Sequence, residues 1–401
     1  MIRRLLAMSA ALAVALAVAG CGSSSSGSGT GSATPYRVML TGGFSASGVL
    51  LSDAQTSLLG VKAAVKQINA EGGVDGHKAV LTVSDDAGDP TTAVTNLLSA
   101  IHSASKPDAY FNSGPSSIAQ ATLPILTSNH ILSFNIGPTT DSSDASKFPY
   151  NFDLSPGPPD YAKAFIPAIK AAGYKTVGII HGNDAYGTAV GQDFQSAFTT
   201  AGIDVTSNQA YDVTALDMTA QLQAVEATKP DALIMDGFGA PVGYMLQDLQ
   251  RLGWNVPILA DNSVAVTGLV FTAPPTGFEG SDLVKDLKMQ VFTSTVYSSS
   301  DTAVNNVVSA MAAFGKITAP LILAYDYDGL PLIAAAAKYA HSTDPSVLAK
   351  ALTNPAAIAG AHTIVLSSYH FTASNHSPQP APSELTFISP SLLVNGQYGH
   401  S

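Results

Sequence analysis

Short apolar runs alternate with longer amphipathic runs from Tyr36 onward, and this alternation limits the fold more than any other feature of the chain. A short apolar run bounded by turn residues favours a buried strand, whereas apolar residues spaced three and four apart favour a helix. The first series predicts strands at Tyr36–Leu40, Ala79–Val83 and Ala109–Phe111, and helices near Ala54–Ala70, Thr91–His102 and Ser116–Thr127. Strands that alternate with helices in this way indicate a parallel sheet covered by helices.

A second series of the same kind follows, so we predict an α/β protein with two such sheets. Its strands are predicted at Thr176–Ile180, Val205–Ala210, Ala232–Met235 and Ile258–Ala260, and its helices near Tyr186–Ala201, Met218–Ala227 and Val242–Leu252. The peptide Lys106-Pro107-Asp108-Ala109 recurs as Lys229-Pro230-Asp231-Ala232, each time between a helix and a strand. This repeat indicates that the two halves are built alike.

The C-terminal part of the chain is predicted to add further elements rather than a third domain. Helices are predicted near Thr302–Phe314, Leu321–Tyr339 and Ser346–Leu352, and short strands at Thr363–Leu366, Leu385–Ile388 and Leu392–Val394.

The N-terminus has the layout of an export signal. Arg3 and Arg4 precede an apolar run, Leu5–Gly20, which is shorter than the roughly 20 residues needed to span a bilayer. Small residues then lead into Cys21 in a pattern that resembles the lipobox of bacterial lipoprotein signal peptides. Residues 1–20 are therefore expected to be removed and Cys21 to be lipidated, which would tether the protein to a membrane. The alternative is an ordinary signal peptide with an incidental cysteine. Residues 21–35, rich in Gly and Ser, are expected to form a flexible tether.

Composition and motifs exclude several classes of function. The formal net charge is −11 and no basic block occurs, which excludes nucleic acid as an expected partner. A single cysteine excludes an intrachain disulfide and a cysteine-rich metal site, and we expect neither a metal nor a cofactor.

One enzyme-like signal remains, because Gly237, Gly239 and Gly243 lie between a predicted strand and helix, with Asp261 after the next strand. A dinucleotide site has this layout, but the third glycine comes one residue late, and a simple turn is the alternative.

Several segments occur in the order and spacing of one known family. They are Ser47-Gly48, Gly60, Ile68–Gly76, Asp85–Pro90, Asp184–Gly187, Leu252-Gly253 and Tyr327-Asp328. From about residue 36 to the C-terminus, the chain resembles the branched-chain amino-acid-binding proteins, the type I solute-binding family of ABC importers. The resemblance implies two Rossmann-like lobes with parallel sheets, joined by a three-strand hinge, that close on a small solute. It implies a first lobe of residues 36–154 and 287–362, and a second lobe of residues 155–286 and 363–401.

The resemblance also implies a set of ligand-contacting residues. Ser113, Ser116 and Thr139 fall in or near the family's carboxylate-binding positions, where helix N-termini offer free N–H groups. Their alternative role is to cap those helices. Tyr186 and Phe238 match aromatic positions that form walls of the family's pocket.

Departures from the family's pattern leave the solute open. The acidic position that pairs with a solute ammonium aligns with Asn262, preceded by Asp261, and Asp53-Ala54 stands where the family has Tyr-Gly. Either Asp53 or Asp261 has taken over the ammonium contact, or the solute has no α-amino group. Gly88 and Asn112 stand where the family has two disulfide-bonded cysteines. Packing alone is therefore expected to hold this corner, the part of the first lobe around Gly88 and Asn112.

These features predict a lipid-anchored solute-binding protein on the outer face of the bacterial cytoplasmic membrane. It is expected to act as a monomer, to capture an amino acid or related amide by lobe closure, to pass this solute to an ABC permease, and to catalyse no reaction. Two alternatives stay open: a module that reports ligand state to a membrane receptor, and an exported dinucleotide-dependent enzyme.

Overall fold

Two β-sheets, each flanked by helices, organise residues 34–399, the part of the chain that the computed structural model describes. The expected signal sequence, Cys21 and most of the expected tether lie outside these residues. Among the described helices, none is both long enough and apolar enough to cross a membrane.

The first sheet is built from the N-terminal part of this range. Its strands are β1 Tyr36–Gly42, β2 Ala79–Asp85, β3 Ala109–Asn112, β4 Leu132–Asn135 and β5 Asn151–Asp153, and its connecting helices are α1 Val49–Ala70, α2 Pro90–Ile101 and α3 Ser116–Ser128. The strands are parallel and lie in the order β2-β1-β3-β4-β5. Phe111, Phe134 and Phe152 occupy matching positions of β3, β4 and β5, and their rings stack with centroids 5.2 and 6.0 Å apart. This aromatic row anchors the core on one face of the sheet.

The second sheet follows along the chain. Its strands are β6 Thr176–Gly182, β7 Asp204–Tyr211, β8 Ala232–Met235, β9 Ile258–Ala260, β10 Leu287–Phe292 and β11 Leu385–Ile388. The helices of this region are α4 Pro158–Ala171, α5 Ala185–Thr200, α6 Thr219–Glu226, α7 Ala240–Leu252 and α8 Asn262–Ala265. The strand order is β11-β10-β9-β8-β6-β7, and only β11 runs antiparallel to its neighbour.

The remaining C-terminal elements pack mainly on the first sheet's helices. They are α9 Thr302–Ala312, α10 Tyr325–Ala340, α11 Pro345–Leu352, α12 Pro355–Ile358, β12 Leu393–Val394 and β13 Gln397–Tyr398. Helix α10 lies against α1, where Gly60 has the Cβ of Tyr327 and the Cβ of Ala324 as close neighbours, so a larger residue at position 60 would separate the two segments. The two terminal strands form a small antiparallel hairpin.

The repeated Lys-Pro-Asp-Ala peptide has the same structural role in both sheets. The Asp108 carboxylate accepts a hydrogen bond of 2.7 Å from the backbone N–H of Arg37 in β1. In the second sheet, the Asp231 carboxylate accepts hydrogen bonds of 2.7 and 2.9 Å from the N–H groups of Lys175 and Thr176 at the start of β6. Each aspartate therefore ties the start of β3 or β8 to the start of the neighbouring strand.

The predicted α/β fold with two mostly parallel sheets is confirmed, but several short elements were missed, and so were strands β4 and β5 and helix α4. Strands β4 and β5 are only four and three residues long and carry polar residues, so they give weak apolar runs. Helix α4 contains Pro158, Pro159 and Pro167, which are typical of a helix break in a sequence pattern.

The predicted strand at Thr363–Leu366 is wrong. The backbone N–H groups of Ile364, Val365 and Leu366 donate to the buried carboxylate of Asp328 at 2.7, 3.1 and 3.3 Å instead of to a neighbouring strand. An aspartate on a distant helix has thus replaced a strand partner, because these N–H groups are buried and need acceptors.

The expected lobe boundaries shift at two places. Residues Leu287–Phe292 form β10, which pairs with β9 and so lies in the second sheet, not in the first lobe. The segment after Thr363 packs first on the first sheet, where the His376 ring stacks on Phe152 with centroids 4.0 Å apart, and joins the second sheet only at β11. The rest of the lobe division stays a prediction.

Candidate ligand-binding cleft

A cleft of about 430 Å³ lies where loops at the carboxyl ends of both sets of strands come together. Loops at the carboxyl ends of parallel strands are the usual place for ligands in α/β proteins. The first sheet and its helices contribute residues that include Val49, Leu50, Asp53, Ser113, Ser116, Ile136 and Gly137. The second sheet contributes residues that include Asp184, Tyr186, Tyr211, Asp236, Phe238 and Asn262. Ile322, Leu323 and Tyr325 complete the lining from the turn before α10.

One end of the cleft is formed by the N-terminus of α3. Pro115 precedes this helix, so no side chain caps it. Within residues 34–399, the N–H groups of Ser116 and Ser117 have no hydrogen-bond acceptor, and neither does the Ser116 hydroxyl. Free N–H groups and the positive end of the helix dipole favour an anion such as a carboxylate.

Gly137 leaves room at this helix end. A Cβ at position 137 would lie 2.8 Å from the Ser116 nitrogen and 3.0 Å from the Gly114 oxygen. Any other residue would therefore cover the N–H group or push the two loops apart. The glycine keeps these loops in close contact while the Ser116 N–H stays open to the cleft.

A row of buried polar side chains in the first sheet holds the loops that follow β3 and β4. Asn112 donates to Asn135 at 2.9 Å, and Asn135 donates to Asp153 at 3.2 Å, along matching positions of β3, β4 and β5. Asn112 also accepts from the Gly114 N–H at 2.9 Å, and Asn135 accepts from the Gly137 N–H at 3.1 Å. Both loops at the α3 end of the cleft are thus held by side chains of the sheet.

The expectation that packing alone holds this corner is therefore wrong. Asn112 is the centre of the hydrogen-bonded row rather than a gap left by a cysteine. Near Gly88, the buried Asp86 carboxylate accepts from the Gly88 N–H at 2.8 Å and from the Thr41 hydroxyl at 2.7 Å. Hydrogen bonds to buried carboxamide and carboxylate groups replace the covalent link.

The opposite end of the cleft is acidic. Asp236 follows β8, is 4% exposed, and accepts a hydrogen bond of 3.0 Å from the Gly182 N–H. Asp261 follows β9 at the matching position of the neighbouring strand, close enough for the charge of Asp236 to act on its carboxyl group. Burial raises the pKa of Asp236 from 3.8 to about 7, and burial together with the neighbouring Asp236 raises that of Asp261 well above its ordinary value. Burial therefore favours the protonated form of both carboxyl groups, and the charge of Asp236 adds to this effect at Asp261.

A third buried carboxyl group, that of Asp53, lines the cleft from α1. It is 5% exposed, and burial raises its pKa well above the ordinary value. Asp184 also lines the cleft, but it is exposed and caps α5 through the Gly187 N–H at 2.7 Å. Among the described residues that line the cleft there is no lysine, arginine or histidine.

Two half-buried aromatic side chains form walls on the second-sheet side. The Tyr186 hydroxyl donates to the Asn262 side-chain oxygen at 3.0 Å, which fixes the ring beside the acidic end. Phe238 follows β8 and lies on the same side of the cleft. These rings offer apolar surface close to charged groups, an arrangement that suits an aliphatic or aromatic solute with a polar head.

The structure brings together six of the eight residues predicted to contact a ligand. They are Asp53, Ser113, Ser116, Tyr186, Phe238 and Asn262. Thr139 does not line the cleft: its N–H donates to Ser142 at 2.8 Å and its hydroxyl to Asp141 at 3.3 Å. Asp261 is fully buried behind Asp236 and caps α8 through Ser263.

Sequence reasoning missed other lining residues. Asp236 directly follows a predicted strand, as Asp261 does, so its position at the carboxyl end of a sheet was a usable signal. Ile322, Leu323 and Tyr325 come from an apolar turn far along the chain, which carries no local signal of a binding surface. Within residues 34–399, no cluster of metal-ligating side chains is found.

Comparison with known proteins agrees with this architecture. The model of the periplasmic binding protein family matches residues 44–381. The Leu/Ile/Val-binding protein BraC3 of Rhizobium johnstonii is 27% identical over 233 residues, which are 57% of this chain and 60% of that protein, so the match spans less than two thirds of the relative.

Solved structures show the same fold. A type 1 periplasmic binding protein from Bordetella pertussis has a TM-score of 0.73 and 21% identity, and the match covers 88% of this chain and 96% of that one. A solute-binding protein of an ABC transporter from Rhodopseudomonas palustris, in complex with benzoate, has a TM-score of 0.66 and 18% identity, covering 91% and 94%. The relatives are binding proteins rather than enzymes, which sets aside the dinucleotide-dependent enzyme. The chain therefore belongs to the periplasmic binding protein family and has its type I fold.

Proposed function

We propose that the protein captures an amino acid in the cleft and delivers it to an ABC permease. The observation that carries this proposal is that one side of the cleft suits a negatively charged group and the other side suits a positively charged group. Uncapped N–H groups and a free hydroxyl at Ser116 suit a carboxylate, and Asp236 suits an ammonium group. The cleft volume of about 430 Å³ is in the range of small-molecule sites.

The two ends of the cleft belong to different sheets, and this supports a closing motion. Ser116 follows β3 of the first sheet, and Asp236 follows β8 of the second. A solute that touches both ends stabilises the closed arrangement over the open one, whereas a solute that touches one end does so weakly. A zwitterionic amino acid makes both contacts.

A solute panel tests the proposal. We expect amino acids to raise the unfolding temperature of the purified protein, because ligand at 100 times its Kd adds about 2.7 kcal/mol of stability. Benzoate, which has a carboxylate but no ammonium group, is expected to bind more weakly, since it leaves Asp236 without a positive partner. Stabilisation by benzoate and by no amino acid would contradict the proposal and favour an aromatic-acid carrier.

We also propose that Cys21 anchors the protein to the membrane by lipidation. The support is the N-terminal sequence alone, with its apolar run, small residues and single cysteine. Replacing Cys21 with Ser is expected to move the protein from the membrane fraction to the soluble extracytoplasmic fraction, because an acyl chain contributes about 0.8 kcal/mol for each buried CH₂ group. Retention of the C21S protein in the membrane fraction would exclude this anchor.

A further inference from the structure

Asp53 is the cleft carboxyl group with the longest, and so the weakest, hydrogen bond: Asp236 and Asp184 each accept one bond of 3.0 Å or less from a backbone N–H. Within residues 34–399 its only hydrogen bond comes from the hydroxyl of the adjacent Ser52, at 3.4 Å. The buried Asp153 carboxylate, by comparison, accepts from Ser142 at 2.6 Å, from Asn151 at 2.9 Å and from Asn135 at 3.2 Å. A carboxyl group that is 5% exposed and poorly bonded needs a further partner.

No described side chain supplies that partner. The cleft has no lysine, arginine or histidine among its described lining residues. Tyr398 is close enough that the Asp53 carboxyl adds to the effect of burial in raising the Tyr398 pKa. Its hydroxyl, however, donates to the Ala265 carbonyl at 3.0 Å and is not available to Asp53.

A positive group of the solute would complete this environment. An ammonium or guanidinium group donates several charge-assisted hydrogen bonds and favours the ionised form of a buried carboxyl. Val49 and Leu50, one turn before Asp53 on α1, also line the cleft and offer apolar contact to the methylene stem of such a group. Asp236, at the other side, remains free to pair with the α-ammonium.

We propose that Asp53 binds a second cationic group of the solute, so that the preferred solutes are diamino or guanidino acids. This inference rests on the proposed function, because it assumes that the α-carboxylate lies at the α3 N-terminus and the α-ammonium at Asp236. A site that presents a buried acceptor rejects an analogue without the matching donor, since that acceptor is then left unpaired. Lysine is therefore bound more tightly than norleucine, and arginine more tightly than citrulline.

Titration calorimetry with these two solute pairs tests the inference. We expect the purified protein to bind lysine and arginine at least about tenfold more tightly than norleucine and citrulline. In the D53N variant both ratios are expected to fall to about one, while norleucine affinity is retained. The E71Q variant removes a negative charge from the exposed end of the same helix, and it is expected to keep both ratios.

The outcomes separate this inference from the proposed function. Norleucine binding as tight as lysine binding, or unchanged ratios in the D53N variant, overturns the role of Asp53 and leaves the amino-acid proposal intact. Absence of binding by all four amino acids overturns both. The unfolding temperature of the D53N variant without solute confirms that it is folded. The D53S variant, with a smaller side chain, is compared in the same way for its affinity ratios between the two solute pairs.

Discussion

Replacing Asp236 with Asn is expected to lower the affinity for an amino acid by about 100-fold or more at pH 8. Removing one member of a buried, hydrogen-bonded charge pair costs about 2–5 kcal/mol, and each 1.4 kcal/mol is about a factor of ten in affinity. The amide is close in shape to the carboxylate and can still accept from the Gly182 N–H. The D236N protein is therefore expected to unfold at a temperature no lower than that of the original protein, as calorimetric scans can verify.

The affinity is also expected to depend on pH in a defined direction. Burial raises the pKa of Asp236 to about 7, and the ammonium group requires the ionised carboxylate. The affinity therefore falls as the pH is lowered through about 7, by up to about tenfold per pH unit, because one proton must be displaced on binding. The dependence is expected to disappear in the D236N variant.

Asp261 provides a matched control for Asp236. It follows the next strand of the same sheet, but it lies behind Asp236 and does not line the cleft. Asparagine is also a good N-cap, so the D261N protein keeps the contact to Ser263 at the start of α8. We expect its amino-acid affinity at pH 8 to stay within about threefold. A loss as large as that of D236N would instead place the ammonium contact at Asp261.

The second large effect concerns stability, and it is expected for Asp328. This carboxylate is fully buried and accepts hydrogen bonds from three backbone N–H groups of the 364–366 segment and from the Tyr369 hydroxyl at 2.8 Å. The D328A substitution leaves four buried donors without an acceptor, and each unsatisfied group costs about 1–3 kcal/mol. We expect the free energy of unfolding to fall by at least about 4 kcal/mol, the sum of the smallest penalties for the four donors.

Denaturant unfolding of D328A at two pH values checks both the size of the stability loss and the direction in which it changes with pH. Burial raises the pKa of Asp328 from 3.8 to about 7, so the folded protein binds a proton that the unfolded chain releases between these values. That contribution to stability is present at low pH and is lost as the pH rises through about 7. The loss caused by D328A is therefore expected to be larger at pH 5 than at pH 8.

Asp344 is the matched control for Asp328. It is exposed and caps α11 through the N–H groups of Ser346 and Val347, so D344A is expected to cost only about 1 kcal/mol. The conservative variant D328N keeps one acceptor oxygen and is expected to fall between the two alanine variants. Equal losses in D328A and D344A would show that the buried network contributes little.

Much of the fold was predictable from local pattern. Strands with a run of three or more apolar residues, such as β1 and β8, appear where the apolar runs predict them. The repeated Lys-Pro-Asp-Ala peptide also marked equivalent positions, because each Asp bonds the start of the neighbouring strand. Where polar residues make up half or more of a short strand, as in β4 and β5, the local pattern does not predict the strand. There the structure depends on the row of hydrogen bonds across the sheet.

In the cleft, too, some residues could be found from the sequence and others only from the structure. Ser116, Tyr186 and Phe238 stand at strand-to-helix junctions, and the carboxyl ends of parallel strands place such junctions at a common edge, so sequence reasoning could find them. Which of two equivalent aspartates faces the ligand could not be read in this way. Asp236 and Asp261 each follow a buried strand, and only the packing of β9 and α8 places one in the cleft and the other behind it.

The sequence by itself determined the two-sheet α/β architecture, the family resemblance and the helix-end chemistry of Ser116, because these depend on periodicity and on turn residues close together in the chain. The tertiary structure alone decided that the 363–366 segment wraps the Asp328 carboxylate, that β10 joins the second sheet, and that Asp53 is left short of partners in the cleft. All three outcomes depend on contacts between residues that are far apart in the sequence. Buried polar groups must find hydrogen-bond partners, but the local sequence pattern does not show which distant residues supply them.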